Sequence, residues 1–126
     1  MRLDIAPKPF IRFTQFSKFS NRAKEYFKWK GDVFMLAKGF NPKGAVRIEF
    51  GIKIPKRTPK SKLDEIIGSP HKKKPDLDNL LKSIIDALCP ASDSHIHTIV
   101  AKKVWALNSY IEVEDYDADQ VRQPDH

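Results

Sequence analysis

A chain of 126 residues with 40% hydrophobic and 31% charged side chains has the composition of one modest folded domain, which excludes a disordered or membrane-embedded protein. Its longest apolar runs are a few residues and its start, MRLDIAPKPF, has no apolar leader core, so neither a membrane span nor a secretion signal is expected, and the lone Cys89 excludes an intrachain disulfide. The formal net charge is +7, but residues 112–126 hold six acids against Arg122, which leaves residues 1–111 at +12.

The first predicted element is a strand over FIRFTQF, residues 10–16. A helix follows from Ser20, with capping-type residues at its start and Gly39 and Pro42 closing it. Its largely apolar stripe reads Ala23, Tyr26, Phe27, Lys30 and Phe34. Tyr26, Phe27 and Trp29 are also candidates for stacking on bases, with packing the better reading for Phe27. AVRIEFGIKI is the cleanest strand: Val46, Ile48, Phe50, Ile52 and Ile54 fall on one side, and Arg47, Glu49, Gly51 and Lys53 on the other.

Residues 55–75 read as a long basic loop with one short helical turn at SKLDEII. A helix from Leu77 or Asp78 to Leu88 buries Leu77, Leu80, Leu81, Ile84 and Leu88 and turns Asp78, Lys82 and Asp86 outward. HIHTIVAKKVWAL and SYIEVEDY are two strands, joined at Asn108–Ser109 by what reads as a hairpin turn. The expectation is one α+β domain over residues 1–116, a mixed or antiparallel sheet packed with helices, followed by an acidic tail at 117–126.

A body so basic points to nucleic acid, whose phosphates reward clustered Lys and Arg through counterion release. Absence of a Cys/His cluster argues against zinc, and one cysteine suits a reducing cytoplasm. The puzzle is HKKKPDLDNLLKSIIDALCP, residues 71–90, where Asp76 and Asp78 directly follow Lys72, Lys73 and Lys74. Bare carboxylates there repel the polyanion that the lysines attract. One reading is structural: an Asp N-cap contributes about 1 kcal/mol, and Asp78 to Lys82 is ordinary salt-bridge spacing. Pro75 releases the chain in extended form, and an extended Asp76-Leu77-Asp78 points both carboxylates one way. The other reading is that the two acids, with Asp93 beyond the helix as a third candidate, hold a hard cation such as Mg²⁺ that attracts phosphate. Lys82 then adds a fixed positive charge.

HKKKPDLDNLLKSIIDAL, followed by SDSHI and the lysine-bearing strand TIVAKKVW, resembles the RusA family of Holliday junction resolvases over roughly residues 44–114. The block Pro75–Leu88 carries the specificity; the first forty residues match loosely. The resemblance implies Asp76, Asp78 and Asp93 as metal-binding acids, Lys82 as the catalytic lysine, and Asp86 and Asn79 in support. Lys72, Lys73, Lys74, Lys102 and Lys103 are the candidate DNA contacts, read from the basic charge, and Mg²⁺ is the expected cofactor, with Mn²⁺ able to substitute. The resemblance also implies a homodimer that cuts four-way DNA junctions in recombination and repair. Ser92 departs from the pattern, standing where many members carry an acid; Asp93 matches the second acid by its spacing to Ile96. The alternatives are a non-catalytic basic nucleic-acid-binding module, and a nuclease of the same chemistry acting on flaps or forks. His71 reads as a solvated loop histidine, His95 and His97 as strand surface and Cys89 as a small buried filler.

Overall fold

The computed structural model describes residues 1–12, 14 and 19–116. Seven elements follow in chain order: β1 (Arg2–Leu3), α1 (Asn21–Leu36), β2 (Ala45–Lys53), α2 (Lys60–Ile66), α3 (Leu77–Leu88), β3 (Thr98–Ala106) and β4 (Tyr110–Asp115). They form the expected α+β arrangement, a mixed sheet in the order β1-β4-β2-β3 with helices against it.

Strand β2 takes one of the two inner positions, and its alternation buries one face. Val46, Ile48 and Phe50 are all but inaccessible, and they pack with Leu80, Ile84 and Leu88 of α3 and with Ile111 and Val113 of β4. Each such side chain contributes roughly 1.5–3 kcal/mol by leaving water. On one side β2 pairs in parallel with β3, from Ala45↔Thr98 to Lys53↔Ala106. On the other it pairs antiparallel with β4, with Ile48 opposite Val113. The expected hairpin between the last two strands is therefore absent. Leu107–Ser109 crosses the end of β2, and the two strands bracket it instead of pairing. The parallel β2–β3 pair needs a long crossover, and residues 54–97, with α2 and α3, supply it.

Helix α1 starts where its cap dictates: Ser20 Oγ accepts from Ala23 N at 3.1 Å. Its buried stripe is Ala23, Tyr26, Trp29 and Val33, continued by Ala37, while Phe27 and Phe34 are about half exposed, at 47% and 46%. The predicted stripe is corrected by Trp29, whose indole N–H donates to Ala6 O at 2.8 Å and draws that face inward. Lys38 (φ 51) and Gly39 (φ 80) end the helix in left-handed backbone, which glycine adopts without strain.

The expected first strand is also corrected. Phe10, Ile11, Arg12 and Thr14 are irregular, and the rest of residues 10–16 lie outside the described residues. The N-terminal strand is instead β1, whose Leu3 sits opposite Ile111. Beyond it the chain crosses the helices: Ser83 Oγ donates to Lys8 O at 2.5 Å, and Phe10 N donates to Asn79 O at 3.1 Å.

Much of the predicted 55–75 loop is fastened. After α2, Gly68 N donates to Trp105 O (2.8 Å), Trp105 N to Ser69 O (3.0 Å) and His71 N to Lys103 O (3.0 Å), so this stretch borders β3. On the polar sheet face, Tyr110 lies so close over Gly51 that a Cβ there would meet its ring at 2.1 Å. Among the described residues no helix is long and apolar enough to cross a membrane. The predicted tail at 117–126 lies outside the described residues.

Candidate active site at the start of helix α3

Asp76 is the N-cap of α3, in extended backbone (φ −69, ψ 145), and Leu77 already belongs to the helix. The expected extended tripeptide thus reduces to Asp76 alone, with Asp78 in the first helical turn. Both acids are exposed. The side chain of Asp76 makes no capping hydrogen bond, although an aspartate here ordinarily does. Asp78 Oδ1 accepts only locally, from Asn79 N at 3.0 Å. The salt bridge anticipated between Asp78 and Lys82 does not form among the described residues. Lys82 is exposed, and its ammonium stands 5.9 Å from the centre of the Phe10 ring. Asp86, further along the helix, pairs with Lys30 at 3.5 Å. Side-chain capping by Asp76 and an Asp78–Lys82 salt bridge, the structural jobs such residues often do, are therefore unfilled here, while Asp78 keeps the helix-dipole role of a first-turn acid.

Just upstream, Lys72, Lys73 and Lys74 are all exposed. The strand lysines are committed elsewhere. Lys102 Nζ pairs with Glu49 at 3.2 Å. Lys103 Nζ donates to the carbonyl oxygens of Lys73 and, at 2.6 Å, of Pro75.

His71 is buried, 5% exposed, with its ring centre 4.4 Å from that of Trp105 and, among the described residues, no hydrogen-bond partner for its Nδ1. The expectation of a solvated histidine fails because the pairing of 68–71 with β3 folds the ring under the loop. Its pKa lies below the ordinary value, first through burial and then through the ammonium groups of Lys103 and Lys73. As pH falls the unfolded chain takes the proton first, so the stability held by the neutral ring is complete above about pH 6.5 and is lost on further acidification. Thermal melting from about pH 7.5 to 5.5 should show a loss of stability that His71→Phe diminishes; an equal loss in both proteins would contradict this account.

Asp93 stands apart from the other two acids. It is exposed, its backbone carbonyl accepts from Ile96 N at 3.0 Å, and its charge adds to burial in raising the pKa of the Cys89 thiol. Cys89 is the C-cap of α3, so Asp93 lies toward the end of the helix opposite Asp76. A helix of 12 residues is about 18 Å long. Among the described residues no group of three or more His, Cys, Asp or Glu side chains could hold a metal ion. The expected triad is thus not gathered; Asp76 and Asp78 are brought to one helix start without Asp93. Two carboxylates nonetheless fit Mg²⁺, which keeps several waters and binds through one or two carboxylates plus substrate phosphate.

The remaining histidines precede β3 instead of lying on it. His95 Nε2 is 2.9 Å from Asn41 Oδ1 and 2.8 Å from Pro42 O, and His97 Nδ1 is 2.8 Å from Thr98 Oγ1. Cys89 is buried, as a filler should be.

Residues 11–114 match the family model described as Endodeoxyribonuclease RusA. The chain belongs to the RusA endodeoxyribonuclease family. No curated relative matches it. The RusA match spans most of the chain and reaches further toward the N-terminus than the resemblance read from the Pro75–Leu88 block, so α1 belongs to the family unit. Membership makes the chain one of a family of DNA-cutting enzymes, which sets the basic surface and the exposed acids in one chemical context. The roles of His71 and Lys103 had no sequence signal: both depend on how residues 68–75 lie against β3.

Proposed function

We propose that this protein is a Mg²⁺-dependent, structure-selective endonuclease that resolves four-way DNA junctions by phosphodiester hydrolysis, in recombination and repair. The observation that carries the reading is the pair of exposed carboxylates, Asp76 and Asp78, at the start of α3, with Asp76 uncommitted to capping and Lys82 in no ion pair among the described residues. Asp76 and Asp78 hold the cation, with Mn²⁺ able to replace Mg²⁺, and Asp93 is the third acid that the family resemblance implies. The bound cation would activate water and stabilise the developing oxyanion. Lys82 presents a fixed charge to the scissile phosphate. Asn79 and Asp86 support the helix start and its outer face.

Lys72, Lys73 and Lys74 follow the DNA backbone and give affinity without sequence information. Replacing all three with alanine should weaken binding to every DNA shape and lower the log–log salt slope by about 2–3 units, at roughly 0.9 per lost phosphate contact. An unchanged slope would put the DNA path elsewhere. A homodimer supplies two such sites for the two symmetric strands of a junction.

The experiment that tests the reading is cleavage of synthetic four-way, three-way and linear duplex DNA in Mg²⁺. Preferred, paired cutting of the four-way substrate is expected. Preference for three-way DNA would move the activity to another branched substrate, and binding without cutting would leave a DNA-binding module.

A further inference from the structure

The basic character of β3 suggests a DNA-contacting strand, but Lys103 is turned differently from a phosphate contact. Its register partner on β2 is Phe50, a core residue, so its stem runs along the face of the sheet that the helices cover. Its ammonium donates to the carbonyls of Lys73 and Pro75. An ammonium has three donors and no acceptor, so these two bonds leave one donor for anything else. The two carbonyls bracket Lys74, and the second belongs to the residue just before Asp76. Lys103 O accepts from His71 N at 3.0 Å, and the His71 ring packs on Trp105, so the segment is also tied at its upstream end.

We propose that Lys103 is a positioning residue: it clamps the Lys73 and Pro75 carbonyls to β3 and thereby sets where Asp76 and the lysine run stand. The proposal rests on the reading of Asp76 as a catalytic-site acid. It separates Lys103 from Lys72, Lys73 and Lys74, which offer their charges outward. The ammonium serves as a fork for backbone dipoles, and phosphate is held by its neighbours. Moving a metal-binding carboxylate by about 1 Å costs on the order of 10²-fold in rate, so the clamp acts on turnover more than on affinity.

The test begins on the wild-type protein. Acylation by a limiting amine-reactive ester, read by peptide mass spectrometry, should modify Lys72, Lys73 and Lys74 well before Lys103. Equal rates would overturn the clamp. Lys103→Met keeps the apolar stem and deletes the donors. It should speed tryptic cleavage after Lys72 and Lys73 and lower single-turnover cleavage by about 10–10²-fold. Junction affinity and its salt slope should stay near wild type. Lys103→Arg should recover much of the rate, because a guanidinium also offers donors to both carbonyls. A Lys103→Met variant with normal turnover at saturating DNA and a salt slope lowered by about one unit would instead make Lys103 a phosphate contact. Normal cleavage by Asp76→Asn would remove the active-site reading while leaving the acylation and trypsin results to decide the clamp. An inactive Asp76→Asn beside a fully active Lys103→Met would sink the clamp alone.

Discussion

Asp76→Asn and Asp78→Asn each abolish junction cleavage while folding and DNA binding persist. The expected loss is about 10²–10⁴-fold, the equivalent of several kcal/mol of metal-derived transition-state stabilisation at 1.36 kcal/mol per tenfold. Stability changes little, because Asp76 makes no side-chain capping bond to lose and asparagine is itself a good N-cap. Removing Asp78 from the first turn costs about 0.3–1 kcal/mol of favourable helix-dipole interaction. In metal-free buffer both variants should bind DNA as tightly as wild type or more tightly. A carboxylate about 4 Å from a phosphate repels it by ~1 kcal/mol in water, and the amide does not. Single-turnover cleavage and equilibrium binding in EDTA, run side by side, check both halves. Normal cleavage by both variants would hand the acids back to helix structure. Asp93→Asn belongs in the same series: full inactivity would bring the third acid into the chemistry despite its place near Cys89, and normal activity would leave Asp76 and Asp78 as the metal-binding acids.

Lys82→Ala lowers turnover by about 10²–10³-fold, the range found when a preorganised transition-state stabiliser is removed. Its structural role predicts far less. Lys82 has no ion pair with Asp78 or Asp86, and its ammonium stands 5.9 Å from the centre of the Phe10 ring. An exposed cation–π contact contributes about 0.5–1 kcal/mol, so the melting temperature moves only slightly. Junction affinity should survive, because one charge among many is lost. Lys82→Arg should rescue poorly, since a planar fork does not occupy the place of a compact ammonium. Near-normal single-turnover rates in Lys82→Ala would take this residue out of the active site even with the aspartates still in it.

The parts of the fold legible in the sequence are those governed by local periodicity. The alternation from Val46 to Phe50 identifies β2 as a strand because each inward residue packs on the same core, and the Leu80, Ile84, Leu88 stripe identifies α3. Residues 98–106 and 110–115 are equally readable as strands, but not as neighbours. A short link reads as a hairpin, and nothing local reveals that β2 lies between them. The stripe of α1 was misplaced because Phe27 and Phe34 are more hydrophobic than the Trp29 that a distant carbonyl draws inward. The placement of Asp76, Asp78 and Lys82 at the start of α3 was legible because one motif sets them within two turns of a helix start. Asp93 reaches its position through the 89–97 connection, whose path sequence spacing does not fix. The burial of His71 and the bonds of Lys103 arise from the lateral contact of residues 68–75 with β3, which leaves no periodic trace.

The central claim is that Asp76 and Asp78 hold a hard cation through which this endonuclease cuts a four-way junction. The measurement that bears on it most directly is single-turnover cleavage of a synthetic four-way junction across a Mg²⁺ titration, with an EDTA control. The account predicts no cutting in EDTA, saturable activation by Mg²⁺ with paired nicks in opposing strands, and loss of that activation in Asp76→Asn. Cleavage that is equally fast in EDTA, or a Mg²⁺ response identical in Asp76→Asn and wild type, would contradict it.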